Sequence, residues 1–520
     1  MPSIKGGAAI PVKQMTSGPV KAGPAIPVYG YAGTPADRPA SSGPARPVKV
    51  LTDADLRQNG GAYVVAGEAQ AMPVYDAPAG MAVAGEAAIP VYPVNAVNWL
   101  LGAATSVLAD RLSSNATPVY NNPDPNAYCT LQAGHTWSQS NNAGSMNYTT
   151  DKYQGSQCLQ ITTLGNGTAA YVTSPRMTAV NLTAKSVRFW FKIDPASESQ
   201  LLRIVFYLGG GASALTWFST QYIIVPADNN ITLMRAADGW YGLTFNPAFF
   251  LSITNTPDWT QVRDFRFRVE DKSAGAVTVL LGGMEFIPTH ASYPHGVVSI
   301  NFDDGYAATD TIAKPKLDAY GFRATAYIIR DLLGTGSYLS QAQLQDLIAG
   351  GWEIEAHANT WVDHNTGFDA LDTATASADL QAELAWLKTL RSGRPSVWAY
   401  PGGLFTPAMI SAVARPLFSA GRTIVQRTLE TMPLGDPYRL RTFVVANTTA
   451  VTPNTAVGSL EWLVDQAYAT GGWLIPTFHN IVTSPTIATE YATASFNTFV
   501  DYCNTKGIPV QTMSKVLYGS

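Results

Sequence analysis

Gly296-Val-Val-Ser-Ile-Asn-Phe-Asp-Asp-Gly-Tyr306 is the stretch on which the fold turns. Val297 to Ile300 is an apolar, largely β-branched run that stops at a turn signal, which reads as a short buried strand. Asp303 and Asp304 stand at its C-terminal end, ahead of Gly305. Carboxylates at the carboxyl end of a parallel strand lie where α/β folds place their chemistry. Taken alone, Asp-Asp-Gly is more often a turn that closes a hairpin. The residues that follow decide between the two.

Strand and helix patterns alternate after Ile300. A helix carries Leu317 and Tyr320, and Thr325–Ile329 reads as a strand. Ser340–Ala349 reads as a helix, and Trp352–Ala356 as a strand that leads to His357. A helix over Ser377–Leu390 precedes a strand at Val397–Tyr400, and another helix starts near Pro407. Ser459–Thr470 then reads as a helix, Trp473–Phe478 as a strand ending at His479, and Ala494–Lys506 as a last helix before Val510. Repeated βα units imply a parallel sheet, and this many imply a barrel or part of one over residues 289–520. Asp303/Asp304, His357, Tyr400 and His479 each fall at the C-terminal end of a strand, which favours a site over a turn.

Residues 123–288 read differently. Strand-like runs recur with turns between them, and two alternate clearly: Val187/Phe189/Phe191/Ile193 against Arg188/Trp190/Lys192, and Phe265/Phe267/Val269 against Arg266/Arg268/Glu270. That pattern is the signature of a β-sandwich. The unit resembles the jelly-roll modules that hold carbohydrate in many glycan-active proteins, which makes Trp217 and Trp240 candidate sugar contacts.

Residues 1–122 are repetitive. Ala25-Ile-Pro-Val-Tyr29, Ala71-Met-Pro-Val-Tyr75, Ala88-Ile-Pro-Val-Tyr92 and Ala116-Thr-Pro-Val-Tyr120 vary one element, and residues 96–113 have helical spacing. Proline fixes φ and removes a donor, so each copy is an extended segment that needs neighbours to bury its Val and Tyr. An attachment module that orders on a larger assembly is the reading; a disordered Pro/Ala/Gly linker is the alternative. The repeats resemble those in structural proteins of tailed bacteriophages.

Charged residues make up 13% of the chain, about half the usual share, and the net charge is −4. Neither nucleic acid nor membrane insertion is expected as a partner. Three cysteines (Cys129, Cys158, Cys503) make no disulfide framework, although Cys129 and Cys158 could pair. The first residues, Met1 to Gly7, show no apolar core of a signal peptide.

Asn301-Phe-Asp-Asp-Gly305, Gly351-Trp-Glu-Ile-Glu-Ala-His357, Ala399-Tyr-Pro-Gly402 and Trp473-Leu-Ile-Pro-Thr-Phe-His479 resemble, in order and spacing, the motifs of the polysaccharide deacetylase family, carbohydrate esterase family 4. The resemblance implies a distorted (β/α) barrel that removes acetyl groups from sugars with a divalent metal, usually zinc. It implies Asp303 as general base, Asp304 and His357 as metal ligands, His479 as general acid and the Tyr400 backbone N–H as oxyanion donor, with Pro401 and Trp361 beside the substrate. The chemistry needs those types: one carboxylate and two imidazoles leave room on a metal for water and a carbonyl. Two departures stand out. The family's second histidine follows the first by four residues, where this chain has Trp361, so His364 becomes the third ligand, with Asp363 or Asn359 as fallbacks. The family's steadying arginine is replaced by Ala399, leaving Arg394, Arg422 or Arg441 to substitute in space.

Together these imply a virion-associated spike or fibre, expected as a homotrimer, that meets other virion proteins through residues 1–122 and deacetylates acetylated bacterial surface polysaccharide outside the host cell. The alternatives are a non-catalytic adhesin with a degenerate barrel and a bacterial cell-surface deacetylase.

Overall fold

The computed structural model describes residues 137–518 except 140–143, 152–157, 175, 177–178, 184, 212–216, 223–238, 251, 255, 289–291, 391–395, 426–428 and 433. Upstream of 137 it describes only the backbones of Val12–Gln14, Arg46–Val48 and Thr117–Pro118. The helix expected at 96–113, Cys129, Arg394 and nearly all of the Pro-Val-Tyr repeats lie outside the described residues. The chain divides into units 1–109 and 110–520. In the first, Val12–Gln14 pairs in parallel with Arg46–Val48. All other described elements belong to the second.

Among the described residues its first half holds, besides Thr117–Pro118, eleven strands: β1 (Ser138–Gln139), β2 (Gly144–Thr149), β3 (Cys158–Thr163), β4 (Ala170–Thr173), β5 (Lys185–Ile193), β6 (Leu201–Gly210), β7 (Trp217–Tyr222), β8 (Trp240–Phe245), β9 (Ser252–Thr254), β10 (Val262–Asp271) and β11 (Thr278–Pro288). They form two antiparallel sheets, ordered β9-β7-β6-β10-β4-β1 and β8-β5-β11-β3-β2. Thr117–Pro118, from one of the Pro-Val-Tyr copies, adds to β11 opposite Glu285 and Phe286. The sheets meet through aromatic rings: Phe189 of β5 lies 4.4 Å from Phe206 of β6 and 6.1 Å from Phe265 of β10. Alternation puts these rings on the inner faces. The strand signal misses β2, because Gly144-Ser-Met-Asn-Tyr-Thr carries too few β-branched residues.

Arg188 and Trp190, which the alternation placed on the solvent side of β5, are both 2% exposed. The second half of the unit covers that side. Arg188 donates to Thr431 Oγ1 at 2.8 Å and to Thr244 Oγ1 of β8 at 3.2 Å. Arg441 pairs with Glu430 at 2.9 Å, and Phe249 stacks edge-on with Trp462 at 5.2 Å. Arg439 donates to the carbonyl of Trp240.

That second half is built on seven parallel strands: β12 (Asn301–Phe302), β13 (Thr325–Ile329), β14 (Glu353–Ala358), β15 (Val397–Ala399), β16 (Ala420–Arg422), β17 (Phe443–Val444) and β18 (Pro476–Phe478), ordered β16-β15-β14-β13-β12-β18-β17. Such a sheet fits the (β/α) barrel expected here. The opening strand is broken: Val297–Val298 pairs with Trp473–Leu474, while Asn301–Phe302 pairs with Thr325–Ala326 and Thr477–Phe478. Helices lie between strands where periodicity put them. Ser340 closes a capping box ahead of α1 (Gln341–Ala349), whose Leu344 and Leu347 are buried. α2 (Trp361–Thr366) and α3 (Thr373–Leu390) follow β14. No helix among the described residues is long and apolar enough to cross a membrane.

Candidate metal centre

Register places the site. Phe302 pairs with Phe478, so Asp303 and His479 are each one residue past the end of their strands, and Asp303 N–H donates to the Phe478 carbonyl at 2.9 Å. Asp304 and Gly305 then both take positive φ, 67° and 81°. Aspartate is one of the few side chains that tolerate this region, and such strain, of order 1–3 kcal/mol, persists where surroundings over-determine it. Two left-handed residues in succession send the neighbouring carboxylates to different places.

Asp303 faces Arg422, the last residue of β16. Arg422 Nη2 reaches both carboxylate oxygens, at 2.6 and 2.7 Å, and the two side chains are 1% and 6% exposed. The same guanidinium lies 4.8 Å from the Tyr327 ring. The arginine absent from position 399 is therefore supplied in space, two strands away from His357, and Arg441 is committed instead to Glu430.

Asp304 meets two imidazoles. Its Oδ1 lies 3.4 Å from His357 Nε2 and 3.5 Å from His364 Nε2, and the two nitrogens are 3.1 Å apart. A point central to three atoms so spaced is about 1.9 Å from each, and a small displacement from their plane reaches the ~2.0–2.2 Å of zinc bonds to nitrogen and oxygen. Among the described residues, these are the three whose ligand atoms cluster tightly enough to hold a metal ion. His357 Nδ1 lies 2.8 Å from the Ala399 carbonyl, so Nδ1 carries the proton and Nε2 offers its lone pair. Two imidazole lone pairs turned toward one point beside a carboxylate suit a cation.

The electrostatics agree. Burial alone would raise the Asp304 carboxyl, but its imidazole neighbours His357, His479 and His364 outweigh it and bring it to about 2. Burial, followed by the charge of His357, lowers His364 to about 4. At neutral pH the site therefore holds an anionic carboxylate and an uncharged His364, the states in which both groups ligate metals. His479 acts on Asp304 and His364 through its charge, and its buried Nδ1 has no hydrogen-bond partner among the described residues.

His364 arrives by a route other than a single helical face. His357 is the last residue but one of β14, the chain turns at Asn359, and Thr360 caps α2 by accepting the Asp363 N–H at 3.1 Å. Strand, turn and one helical turn together bring position 364 back to 357. Asp363 is occupied with Thr360, and Asn359 accepts from Arg330 at 2.9 Å, so neither fallback is a ligand. Trp361 stands at the rim, 40% exposed, its ring stacked on His364 at 5.3 Å. Both oxygens of Asp331 accept the Trp361 N–H, at 2.8 and 2.9 Å, fixing the start of the helix.

Two expectations fail. Tyr400 N–H already donates to the Arg422 carbonyl at 3.0 Å, and its hydroxyl to the Tyr438 carbonyl at 2.8 Å, so Tyr400 is a sheet and core residue rather than an oxyanion donor. Pro401 is buried and opens the turn Pro401–Gly403 instead of presenting a face to substrate. The Trp240 ring is half-buried and packs over Gly282, where a Cβ would come within 2.6 Å of it. The side chain of Trp217 lies outside the described residues.

Two acids escaped the sequence reading. Glu383 and Asp379 of α3 accept the backbone N–H groups of His357 (3.1 Å) and Asn359 (2.9 Å). Burial pushes Glu383 well above the carboxylate range, and burial foremost raises Asp379 to about 7. Their signal was available: two acids one turn apart, interrupting the buried stripe Leu380, Leu384 and Leu387.

Asp304, His357 and His364 thus form a candidate metal site at the carboxyl-end edge of a parallel sheet, where α/β folds place their chemistry. Residues 290–416 match the family described as Polysaccharide deacetylase. The chain is similar to the putative polysaccharide deacetylase YxkH of Bacillus subtilis, 25% identical over 24% of this chain and 44% of that protein. It is likewise similar to the poly-beta-1,6-N-acetyl-D-glucosamine N-deacetylase of Staphylococcus epidermidis, 27% identical over 30% of this chain and 56% of the relative. The chain thus spans about half the length of the curated relatives it matches. Among solved structures, the Xyl-CE4 domain of a multidomain xylanase from the hindgut metagenome of Trinervitermes trinervoides is 12% identical, covering 43% of this chain and 90% of its own, with a TM-score of 0.31. The family match and the curated relatives support a polysaccharide deacetylase domain within the second unit.

Proposed function

We propose that this chain is a metal-dependent deacetylase of an acetylated polysaccharide, with Asp304, His357 and His364 holding the metal. The observation that carries the reading is the triangle of donor atoms 3.1, 3.4 and 3.5 Å apart. A divalent ion held by these three residues would supply Lewis acidity, lowering the pKa of a water toward neutrality and polarising an acetyl carbonyl. The chain's own residues do the rest. Asp303, anchored by Arg422, takes the proton from the attacking water, and the anchor holds its carboxylate in one orientation. His479, across the strand pair from Asp303, protonates the departing amine or alkoxide. Ala399 keeps His357 in the ligating tautomer through its carbonyl, and Trp361 offers an exposed ring at the mouth on which a sugar can stack.

Two sequence departures favoured a barrel without activity, a shifted histidine and a missing arginine. Both have a spatial answer in His364 and Arg422, which supports the enzymatic reading over an adhesin. The relative from Staphylococcus epidermidis carries an N-deacetylase name, which supports an acetamido sugar as substrate. The setting is proposed from composition and repeats alone: a spike or fibre on a virus particle, attached through residues 1–122, acting on a bacterial surface glycan. Acetate release from partially acetylated poly-β-1,6-glucosamine and from acetylated xylan, with zinc added, tests the activity. Equal release by wild type and Asp303→Asn refutes the base assignment, and no release from either polymer by metal-loaded protein favours the adhesin.

A further inference from the structure

Tyr327, the third residue of β13, is fully buried and has no part in the chemistry described so far. Side chains alternate along a strand, so Tyr327 shares a side of β13 with Thr325. Thr325 Oγ1 donates to Glu353 at 2.8 Å, and register sets Tyr327 beside Glu355. Tyr327 therefore faces a polar interior, and Arg422 reaches into the same interior from the far edge of the sheet. β16, which ends at Arg422, stands four places from β12, about 19 Å along a flat sheet. That gap is longer than any side chain, yet Arg422 Nη2 meets both Asp303 oxygens, at 2.6 and 2.7 Å. The sheet therefore curls, and the guanidinium crosses its concave side.

Polar contacts do not fix the plane of that guanidinium. A fork that uses two nitrogens locks guanidinium and carboxylate into one plane, but here one nitrogen serves both oxygens. Arg422 Nε is buried and has no hydrogen-bond partner among the described residues. The face contact comes from Tyr327, over whose ring the guanidinium carbon stands at 4.8 Å. That is inside the ~6 Å within which a ring's negative face attracts a cation, an attraction that grows when water is excluded. The Tyr327 hydroxyl is likewise buried without a hydrogen-bond partner among the described residues, so the ring makes the contact. Burial holds the phenol well above its ordinary value against the opposing charge of Arg422, and Glu355, Glu353 and Asp303 add to the rise. Arg422 thus meets a neutral ring.

We propose that Tyr327 is a positioning residue, whose ring face sets the plane of the Arg422 guanidinium and through it the orientation of the Asp303 carboxylate. The catalytic part of this rests on the reading of Asp303 as general base. Full-length, zinc-loaded protein is compared with Tyr327→Phe, with Tyr327→Leu and with pentafluorophenylalanine in place of Tyr327, each also in an Arg422→Met background. Pentafluorophenylalanine keeps the ring's shape and removes its negative face, so it tests the contact even where the leucine variant does not fold. Misplacing a reacting group by an ångström costs up to about a hundredfold. In acetate release from acetylated poly-β-1,6-glucosamine or xylan, the phenylalanine variant is expected to keep kcat within about twofold. The fluorinated and leucine variants are expected to lose about tenfold or more in kcat, with KM and zinc content unchanged. In the Arg422→Met background neither replacement lowers kcat further, because the residue acts through Arg422. Wild-type kcat in the fluorinated variant, an equal loss in the phenylalanine variant, or the same fold-loss beside Arg422→Met each overturns the proposal. If the wild type releases no acetate, the deacetylase reading fails, and urea unfolding decides whether Tyr327 holds Arg422. The fluorinated ring is then expected to lower the midpoint, relative to phenylalanine, in the wild-type background and not beside Arg422→Met. Equal shifts in the two backgrounds overturn it.

Discussion

Replacing Arg422 by methionine removes the cation from a carboxylate that is 6% exposed while keeping most of the side-chain volume. Breaking a buried pair by deleting one partner costs about 3–5 kcal/mol, because the remaining charge stays buried without compensation. Taking about 3 kcal/mol and an m-value near 3 kcal/mol/M, the urea midpoint falls by about 1 M. The metal ligands are untouched, so zinc content measured on the purified variant stays at the wild-type level. Acetate release, by contrast, drops by about two orders of magnitude, the scale on which a positioned general base contributes. Arg422→Met/Asp303→Asn separates the two effects: with both charges gone, much of the stability returns and the activity does not. A midpoint shift well under 0.2 M in the single variant, equivalent to roughly 0.5 kcal/mol, would refute a buried, fully formed pair. Wild-type turnover in that variant would refute its link to catalysis.

Other outcomes follow from the same geometry. Chelation by EDTA abolishes acetate release and zinc restores it, whereas His364→Ala weakens metal uptake by 10-fold or more in an equilibrium-dialysis measurement. Arg188→Ala deletes the 2.8 Å bond to Thr431 that ties the sandwich to the barrel, along with a 3.2 Å bond to Thr244 within the sandwich, and the loss of about 1.5–3 kcal/mol shows as faster limited proteolysis between the halves. Gly421→Ala sets a Cβ 2.1 Å from Tyr400 Oη, so soluble yield collapses; normal expression would contradict the packing there. Asp379 is raised to about 7 in the folded chain; folding favours its protonated form, so stability present below about pH 4 is lost as pH climbs through 7. Asp379→Asn therefore raises the unfolding midpoint at pH 8 and leaves it nearly unchanged at pH 4.

Much of the site was legible because its chemistry is local. Strand-end positions follow from apolar runs that stop at polar residues, and that rule alone put Asp303, Asp304, His357 and His479 on one edge of one sheet. The helices at 341–349, 460–470 and 493–506 were legible for a similar reason, since capping and periodicity act within a few residues. Reading the outer side of β5 as solvated went wrong because periodicity reports which residues share a face, not what covers it. The covered face holds Arg188 and Trp190, and the barrel covers it.

The sequence by itself determined most of the strand and helix alternation over residues 289–520, the two carboxylates after the opening strand, and the histidines available to a metal, but not the strands Ala420–Arg422 and Phe443–Val444. Tertiary structure decided which carboxylate meets which partner. Asp303 went to Arg422 and Asp304 to the imidazoles, through two left-handed residues and a register that sequence spacing does not encode. It also decided that the Tyr400 N–H serves a neighbouring strand, and that position 364 closes the metal triangle. Those outcomes depend on distances between segments more than a hundred residues apart, such as 303 and 422, and contacts at that range are set by how strands pair.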